Sequence, residues 1–159
     1  MKAILISIQA RHNRNIEAGK KISELRNRIP QCAYPIKVYT YESGNDGRHK
    51  VVNEWICESV DIWHLKRGIP VHLPKAACVP AWEIREYRDK KRNSISEMHI
   101  SDLKIYDTPR ELSDFKTPDK PYHRIIERDG CLMFADGYES GKPLTRAPQS
   151  WQYVEEVEK

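Results

Sequence analysis

Hydrophobic and polar residues alternate along much of this chain with the two-residue period of β-strands. Residues 3–8 are apolar on both faces, which predicts a strand in the middle of a sheet. Residues 35–41 alternate, and residues 51–63 follow a glycine-rich turn at 44–47, so the two segments predict an antiparallel pair. The same pattern predicts three further strands at 21–26, 94–106 and 151–154, with a slip between 95 and 98 that suggests a bulge.

Two segments have the spacing of short helices. Gln9 to Ala18 departs from the strand period, and Gly19 is placed to end that helix in the left-handed conformation. Residues 81–91 follow Pro80, which suits a first helical position. The remaining predictions are an irregular stretch at 65–80, a helical turn at 108–112 and a polar surface loop at 116–130.

Length and composition limit the class of protein. The chain has 159 residues, enough for one domain with a substantial core, and its 39% apolar and 31% charged residues are typical of a soluble globular protein. No stretch approaches the ~20 apolar residues of a membrane span, and the first residues do not form a secretory signal, so we expect no membrane association and a cytoplasmic location.

The net charge of +4 permits binding to a polyanion without requiring it. The distribution of charge is more informative, because basic residues concentrate at 20–28 and 85–92 while the end of the chain is acidic. Four cysteines lie far apart, without the close spacing of a zinc clip, and are interpreted as buried free thiols. We therefore predict no metal site and no cofactor.

A cluster of charged residues follows Gly19. Lys21, Glu24 and Arg26 are costly to bury unpaired, so such a cluster is either a solvated surface or a site. In a regular strand Glu24 and Arg26 share one face and Lys21 takes the other. Lys21 can therefore converge on Glu24 only from a turn or after a bulge. The alternative is a plain ion pair between Glu24 and Arg26, with Lys21 in solvent.

The spacing of these residues, Gly-x-Lys-x-x-Glu-x-Arg, resembles the signature of the ASCH family of PUA-like domains. Residues 99–112 and 143–155 are similar to two further segments of phage- and prophage-encoded members, in the same order. The resemblance implies an α+β fold: a PUA-like closed mixed β-barrel with short flanking helices, formed by residues 1–107. Residues 108–159 would be a C-terminal extension packed on the barrel.

The resemblance also implies a function. It points to a phage-associated protein that binds RNA or a nucleotide in a cleft lined by Lys21, Glu24 and Arg26, with Lys20 beside them. Protonated, Lys21 would hold a phosphate or a developing oxyanion; deprotonated, it would act as a base.

The alternative is a hydrolase that uses the same cleft to cleave an amide of a modified nucleoside or single-stranded RNA. Lys21 and Glu24 would then be catalytic, with Glu24 activating water, and His99 would assist. The family's acetylcytidine amidohydrolase branch carries threonine where Glu24 stands, which weakens transfer of that reaction. A third alternative is an interaction protein that acts on a host protein partner; the oligomeric state stays open.

Several other residues are candidates with a structural alternative. His99 and Ser101 share a strand face, so His99 would move protons and Ser101 would bind a phosphate or base edge, unless backbone groups satisfy both. Tyr39 would stack a base, together with Tyr41, unless the pair only fills space. The basic run around Arg85 and Arg88 suits phosphate contacts, but equally suits a solvated helix face. These residues complete the candidate binding set.

Overall fold

The computed structural model of the protein describes residues 1–157. In chain order the elements are β1 (Ala3–Gln9), α1 (Ala10–Glu17), β2 (Ser23–Arg26), β3 (Ile36–Ser43), β4 (Val51–His64), α2 (Leu73–Ala77), α3 (Ala81–Tyr87), β5 (Ser94–Arg110), β6 (Lys120–Arg128), β7 (Cys131–Glu139) and β8 (Trp151–Val154). Single 3₁₀ turns occupy Leu65–Arg67 and Leu112–Asp114. Among the described helices, none is long and apolar enough to cross a bilayer.

Six strands form one mixed sheet in the order β2-β5-β4-β3-β1-β8. The sheet is mixed because β1 runs parallel to β3 while the other neighbours are antiparallel. It curls into a half-barrel whose end strands in the described chain are β2 and β8. The mixed sheet with few short helices agrees with the sequence, whereas closure of the barrel stays a prediction.

Strand β1 lies inside this sheet and is buried on both faces, as its continuous apolar run indicated. The residues Ile4, Ile6 and Ile8 face the interior of the curl, where they pack with Trp55 and Met98. On the opposite face, a second cluster joins Ala3, Leu5, Tyr39, Val51, Tyr106, Phe115, Leu144 and Val154. The core therefore lies on both sides of β1. Because this packing holds β1 in place, it also positions α1, which begins directly after it.

The chain enters the site through a tight turn after α1. Gly19 adopts φ 67°, which is the left-handed conformation predicted for it. The amides of Lys20 and Lys21 both donate to the carbonyl of Asn15, so these residues stay on the turn and β2 begins at Ser23. β2 pairs with β5 in a register that sets Glu24 opposite Met98, on the interior face. The turn placement is the condition under which Lys21 can converge on Glu24.

The predicted surface loop at 116–130 is wrong for most of its length. β6 and β7 form a two-stranded hairpin separate from the main sheet. The reason is the Asp129–Gly130 dipeptide, where both residues have positive φ as a two-residue hairpin turn requires. Large apolar side chains of this hairpin, including Ile125 and Phe134, are exposed.

Other boundaries differ more modestly from the predictions. α3 ends at Tyr87 rather than near 91, and the irregular stretch at 65–80 contains α2. β5 continues to Arg110, past the predicted end at 106 and through part of the predicted helical turn. Its register with β4 shifts at three other places rather than between 95 and 98. The division of the chain at 107/108 stays a prediction; β8, from beyond that boundary, adds an edge strand to the sheet.

The cysteines are free throughout the described chain, as expected, but only one of them is buried. Cys57 is inaccessible, and burial raises the pKa of its thiol to about 12. Cys131 is exposed at the start of β7, and the other two are half-buried. The expectation of buried thiols therefore holds for Cys57 alone.

A buried polar network attaches α1 to the sheet. The Glu42 carboxylate, 3% exposed, accepts hydrogen bonds from the Asn13 amide at 2.7 Å and from the Arg48 guanidinium at 2.7 and 2.9 Å. Arg48 also pairs with Glu17 of α1 at 2.6 Å. These contacts hold the pKa of Glu42 at about 2, below its usual value, because hydrogen bonds from Arg48 outweigh the effect of burial. The network thus requires an ionised Glu42.

This network predicts loss of stability in acid. A carboxyl whose folded-state pKa is depressed stabilises the protein above its unfolded-state pKa of ~4.5, and that contribution disappears as pH falls toward about 2. We expect the free energy of unfolding, measured by urea titration between pH 6 and pH 2.5, to fall over this range. Glu42→Gln should flatten the dependence, whereas Glu155→Gln, at an exposed position, should leave it unchanged. Equal slopes in all three proteins would contradict the assignment.

Candidate functional site

A cavity of about 410 Å³ opens at one end of the half-barrel. One wall comes from the end of β1 and the start of α1, the floor from β2, and the opposite wall from α3 and the residues before it. Its lining consists of Ser7, Ile8, Gln9, Arg11, His12, Lys21, Glu24, Leu25, Arg26, Val79, Glu83, Ile84, Glu86 and Tyr87. The charged cluster predicted after Gly19 therefore lines a cavity rather than a solvated surface.

Lys21, Glu24 and Arg26 form a buried ion triad at the floor. The Lys21 ammonium lies 3.1 Å from Glu24 Oε2, and the Arg26 guanidinium lies 2.9 Å from Glu24 Oε1. The three side chains are 2%, 8% and 9% exposed, respectively. The Lys21 ammonium also donates to the carbonyl of Ala77 at 2.8 Å, so the end of α2 covers it. Glu24 therefore pairs with Arg26, but Lys21 joins the pair and does not lie in solvent.

The triad keeps Glu24 ionised. Burial favours the neutral acid, but the charges of Lys21 and Arg26 outweigh it and hold the pKa of Glu24 below its usual value. Each carboxylate oxygen already faces one cation. A general base needs a free lone pair and an affinity for protons near neutral pH. Glu24 keeps free lone pairs, but its lowered pKa gives it little affinity for protons at neutral pH, so its main role here is to hold two cations in place.

Arg26 lies on β2, one end strand of the sheet, and its side chain reaches residues at the other end, in β1 and just before β8. Its guanidinium donates to the carbonyl of Ser7 in β1 at 2.8 Å and lies 3.5 Å from the hydroxyl of Ser150, just before β8. The remaining donor, Nε, is buried and has no hydrogen-bond partner among the described residues. A buried N–H without a partner is costly, and such groups commonly mark a place where a ligand or water binds.

The rim of the cavity adds further polar groups. Arg11, 59% exposed, pairs across the opening with Glu83 of α3 at 2.8 Å. His12 lies behind this pair, 4.0 Å from the same carboxylate oxygen. Burial, with the nearby Lys21 ammonium, lowers the pKa of His12, so its imidazole is neutral at neutral pH. Ile8, Leu25, Val79 and Ile84 supply apolar wall, and Tyr87 supplies an aromatic edge.

Three sequence-predicted residues lie outside this cavity. His99 and Lys20 line a separate cavity of about 310 Å³ on the outer face of β2 and β5. The His99 imidazole lies 2.7 Å from the Asp61 carboxylate. Ser101 donates to the backbone carbonyl of Ile56, which is the structural alternative considered for it. His99 would assist Lys21 only from the same cleft, and that condition is not met, because the strand face of His99 and Ser101 points away from Glu24.

The other predicted binding residues are also separated from the triad. Tyr39 is fully buried, packs on Phe115 at 4.9 Å between ring centroids, and accepts a hydrogen bond from the amide of Val157. It has no surface on which a base can stack, so the stacking role is wrong. Arg85 in α3 and Arg88, just after the helix, line another cavity, of about 240 Å³. Arg88 is engaged there with Asn93 at 2.6 Å.

The residues that sequence reasoning missed come from α1 and α3. Glu83 is far along the chain from Arg11 and His12, and the three residues meet only because the two helices flank the opening. For Glu83 the only signal was a carboxylate in the first turn of a predicted helix, which has many meanings.

Comparison with known proteins supports the fold. No protein-family model matches the sequence, and no curated protein matches it. The crystal structure of the ASCH protein from Zymomonas mobilis matches with a TM-score of 0.58 and 19% identity, over 70% of this chain and 74% of that chain. A tyrosine-to-phenylalanine variant and a serine-to-alanine variant of that protein match with a TM-score of 0.58 each, at 18% and 19% identity, over 70% of this chain and 77% and 75% of theirs.

At these identities the likeness establishes the fold. The chain therefore has the PUA-like fold of ASCH proteins, a curled mixed sheet with short helices, and carries a charged cavity at its open end.

Proposed function

We propose that this protein binds RNA or a nucleotide in the cavity above the Lys21–Glu24–Arg26 triad. The observation that carries the proposal is the buried Arg26 Nε–H, which has no partner in the described chain and belongs to a residue that lines an open cavity. An anionic oxygen of a ligand would supply the missing acceptor. The resemblance of the Gly-x-Lys-x-x-Glu-x-Arg signature to the ASCH family implies a ligand of this class.

The charge of the floor supports an anionic or strongly polar ligand. Two cations share one carboxylate, so the triad keeps one net positive charge in a place where solvent screening is weak. A phosphate or the carbonyl edge of a base would complement this charge. Because the triad is rigidly paired before any ligand arrives, little side-chain ordering has to accompany binding.

The walls and rim fit the remaining parts of a nucleotide. Apolar side chains and the half-exposed ring of Tyr87 offer a surface for the faces of a base. Arg11 stands at the opening, where its guanidinium would exchange Glu83 for a backbone phosphate. In the proposed complex a base would lie inside the cavity and the RNA backbone would cross its mouth.

The role of Arg11 is tested with a matched pair of variants on α1. Arg11 and Arg14 are 59% and 63% exposed, and each forms one ion pair, with Glu83 and Asp46. We expect Arg11→Ala to weaken binding of a fluorescently labelled single-stranded RNA, measured by anisotropy from 50 to 300 mM salt. The slope of log affinity against log salt should lose about 0.7, the value for one phosphate contact on a single strand. Arg14→Ala should leave both quantities unchanged.

Equal behaviour of the two variants would place the RNA elsewhere on the surface. Affinity that does not fall with rising salt in the unmodified protein would contradict binding through phosphates altogether. Titration with single nucleotides by calorimetry separates a nucleotide ligand from a polymer.

A second candidate function is hydrolysis in the same cavity, and the state of His12 favours it. A neutral imidazole in a partly buried cavity can take a proton from an attacking water, a role for which Glu24 is less suited because its pKa is lowered. Lys21 would stabilise the oxyanion that forms at the attacked carbonyl or phosphate. Incubation with N4-acetylcytidine and with single-stranded RNA tests this candidate, and His12→Asn should abolish turnover while ligand binding persists. Turnover that survives in that variant removes His12 from the chemistry.

The association with phages belongs to this proposal as well. It is supported by the likeness of residues 99–112 and 143–155 to phage- and prophage-encoded ASCH proteins. A phage protein of this kind would act in the cytoplasm of the host, and its target would be a host RNA. A host protein partner is an alternative for the same setting. Recovery of RNA, rather than protein alone, with the chain from infected cells distinguishes the two.

A further inference from the structure

A second group of polar side chains lies on the outer face of the sheet, away from the cavity above the triad. Asp61 of β4, with Glu97 and His99 of β5, places one donor atom from each residue within 4.8 Å of the others. His72, just before α2, adds an imidazole nitrogen 3.2 Å from Glu97 Oε2. We propose that these four residues bind a divalent transition-metal ion, of which Zn²⁺ fits best.

The pairing of the strands gives the first reason. Asp61 and Glu97 occupy directly opposite positions in the β4–β5 ladder. Like charges in such a cross-strand pair repel each other and destabilise the sheet. Two carboxylates held face to face on neighbouring strands therefore call for a cation between them, and a divalent ion neutralises both.

The environment of Glu97 gives the second reason. This carboxylate is 1% exposed, and its hydrogen bonds come from Ser23 at 2.6 Å, Trp63 at 2.8 Å and His72 at 3.2 Å. No lysine or arginine of residues 1–157 forms an ion pair with it; only His72 is near enough. A buried carboxylate needs a compensating positive charge. By contrast, Glu24 on the other face of the sheet has two such partners.

The contacts of Glu97 also resemble the support of a metal ligand. Ser23 holds Oε1 and Trp63 holds Oε2, so the carboxylate is fixed in one orientation by groups behind it. Metal-binding carboxylates are typically oriented by such outer hydrogen bonds. Trp63 additionally packs edge-on against His72, with ring centroids 5.3 Å apart, and so positions that imidazole.

The geometry suits zinc. In a tetrahedral site with bonds of about 2.0 Å, the ligand atoms lie about 3.3 Å apart. His72 and Glu97 already lie at about this distance, 3.2 Å, and the donor atoms of Asp61, Glu97 and His99 lie within 4.8 Å of one another. Two imidazoles with two carboxylates suit Zn²⁺ better than Mg²⁺, which prefers oxygen ligands alone. Because His72 belongs to the segment between β4 and α2, the ion would fasten that segment to the sheet.

Calorimetric titration of the chelator-treated full-length protein with ZnCl₂ tests the proposal. We expect one ion per chain with a Kd in the micromolar range or below. His99→Gln and Asp61→Asn change half-exposed residues, so these variants should fold. Each variant removes a direct ligand of the ion. It should therefore weaken zinc binding by more than 10- to 100-fold, the loss expected when only a residue that hydrogen-bonds to a ligand is removed. MgCl₂ should give no comparable heat.

A matched control lies on the β6–β7 hairpin. His123 and Asp136 form an ion pair of 2.7 Å, the same length as that of His99 and Asp61, but the described residues add no third ligand there. His123→Gln should therefore leave zinc binding unchanged. Zinc should also raise the melting temperature of the unmodified protein and of His123→Gln, but not that of His99→Gln.

Three outcomes would overturn the proposal. They are the absence of zinc binding, binding that is equal in the His99→Gln and His123→Gln variants, and a Co²⁺ complex whose spectrum contains the intense bands of thiolate ligands. The last would assign the ion to cysteines. In the first two cases Asp61 and His99 form only a surface ion pair.

Discussion

Replacing Glu24 by glutamine should destabilise the protein by about 3–5 kcal/mol, the usual cost of removing one partner from a buried ion pair. The variant leaves Lys21 and Arg26 next to each other with no carboxylate between them, and their side chains are 2% and 9% exposed, so water cannot compensate for either charge. Urea unfolding at pH 7 measures the change. The magnitude is a large part of the total stability of a domain of this size.

The order of related variants makes this prediction specific to the triad. Lys21→Met should cost less than Glu24→Gln, because it leaves the neutral pair of Glu24 and Arg26 intact. Adding Lys21→Met to Glu24→Gln should recover part of the loss, since it removes one of the two stranded cations. Glu86→Gln, which changes an exposed carboxylate at the same cavity, should stay within about 0.5 kcal/mol. Similar costs for Glu24→Gln and Glu86→Gln would mean that the triad is solvated.

Replacing Arg26 by lysine should lower the affinity for the ligand about 10- to 150-fold. The charge is kept, but lysine has no equivalent of Nε, the donor without a partner in the described chain. Loss of one hydrogen bond to a charged group costs about 1.5–3 kcal/mol, which corresponds to this range. Calorimetric titration with the nucleotide, or anisotropy with labelled RNA, measures it at a temperature at which the variant is folded.

The control is Arg48, a second arginine that forms short ion pairs but does not line the cavity. Arg48 forms short bonds to Glu42 and Glu17, remote from the cavity in the described contacts. Arg48→Lys should lower the stability and leave the ligand affinity unchanged. If both variants lose affinity equally, the loss at Arg26 reflects a weakened fold rather than a missing contact with the ligand.

The pattern of apolar and polar residues predicted the strands well where burial of one or both strand faces determined that pattern. The apolar run of β1 requires burial on both faces, and the alternation at residues 36–40 separates Val38 in the interior from Tyr39 in the second cluster. The same alternation could not say that the face of Tyr39 is covered by Phe115, from far along the chain. A half-buried tyrosine and a fully buried one have the same sequence pattern, and the base-stacking role failed for that reason.

The β6–β7 hairpin shows a different kind of miss. The Asp129–Gly130 signal was present in the sequence, but the surrounding residues are polar enough to suggest a loop. A hairpin exposed on both faces lacks the clean alternation that burial of one face imposes, so periodicity is a weak guide there. The turn chemistry was the better signal.

The sequence by itself determined the Gly19 turn, the strand that follows it, and the face shared by Glu24 and Arg26, because backbone geometry over eight residues fixes all three. Only the tertiary structure decided what that face meets. The curl of the sheet brings α1, α3 and the end of α2 around the triad, and so turns three charges into the floor of a cavity. The same curl directs His99 away from Lys21 and toward Asp61, since neighbouring residues of a strand point to opposite faces and only the packing of distant segments determines which face holds the ligand.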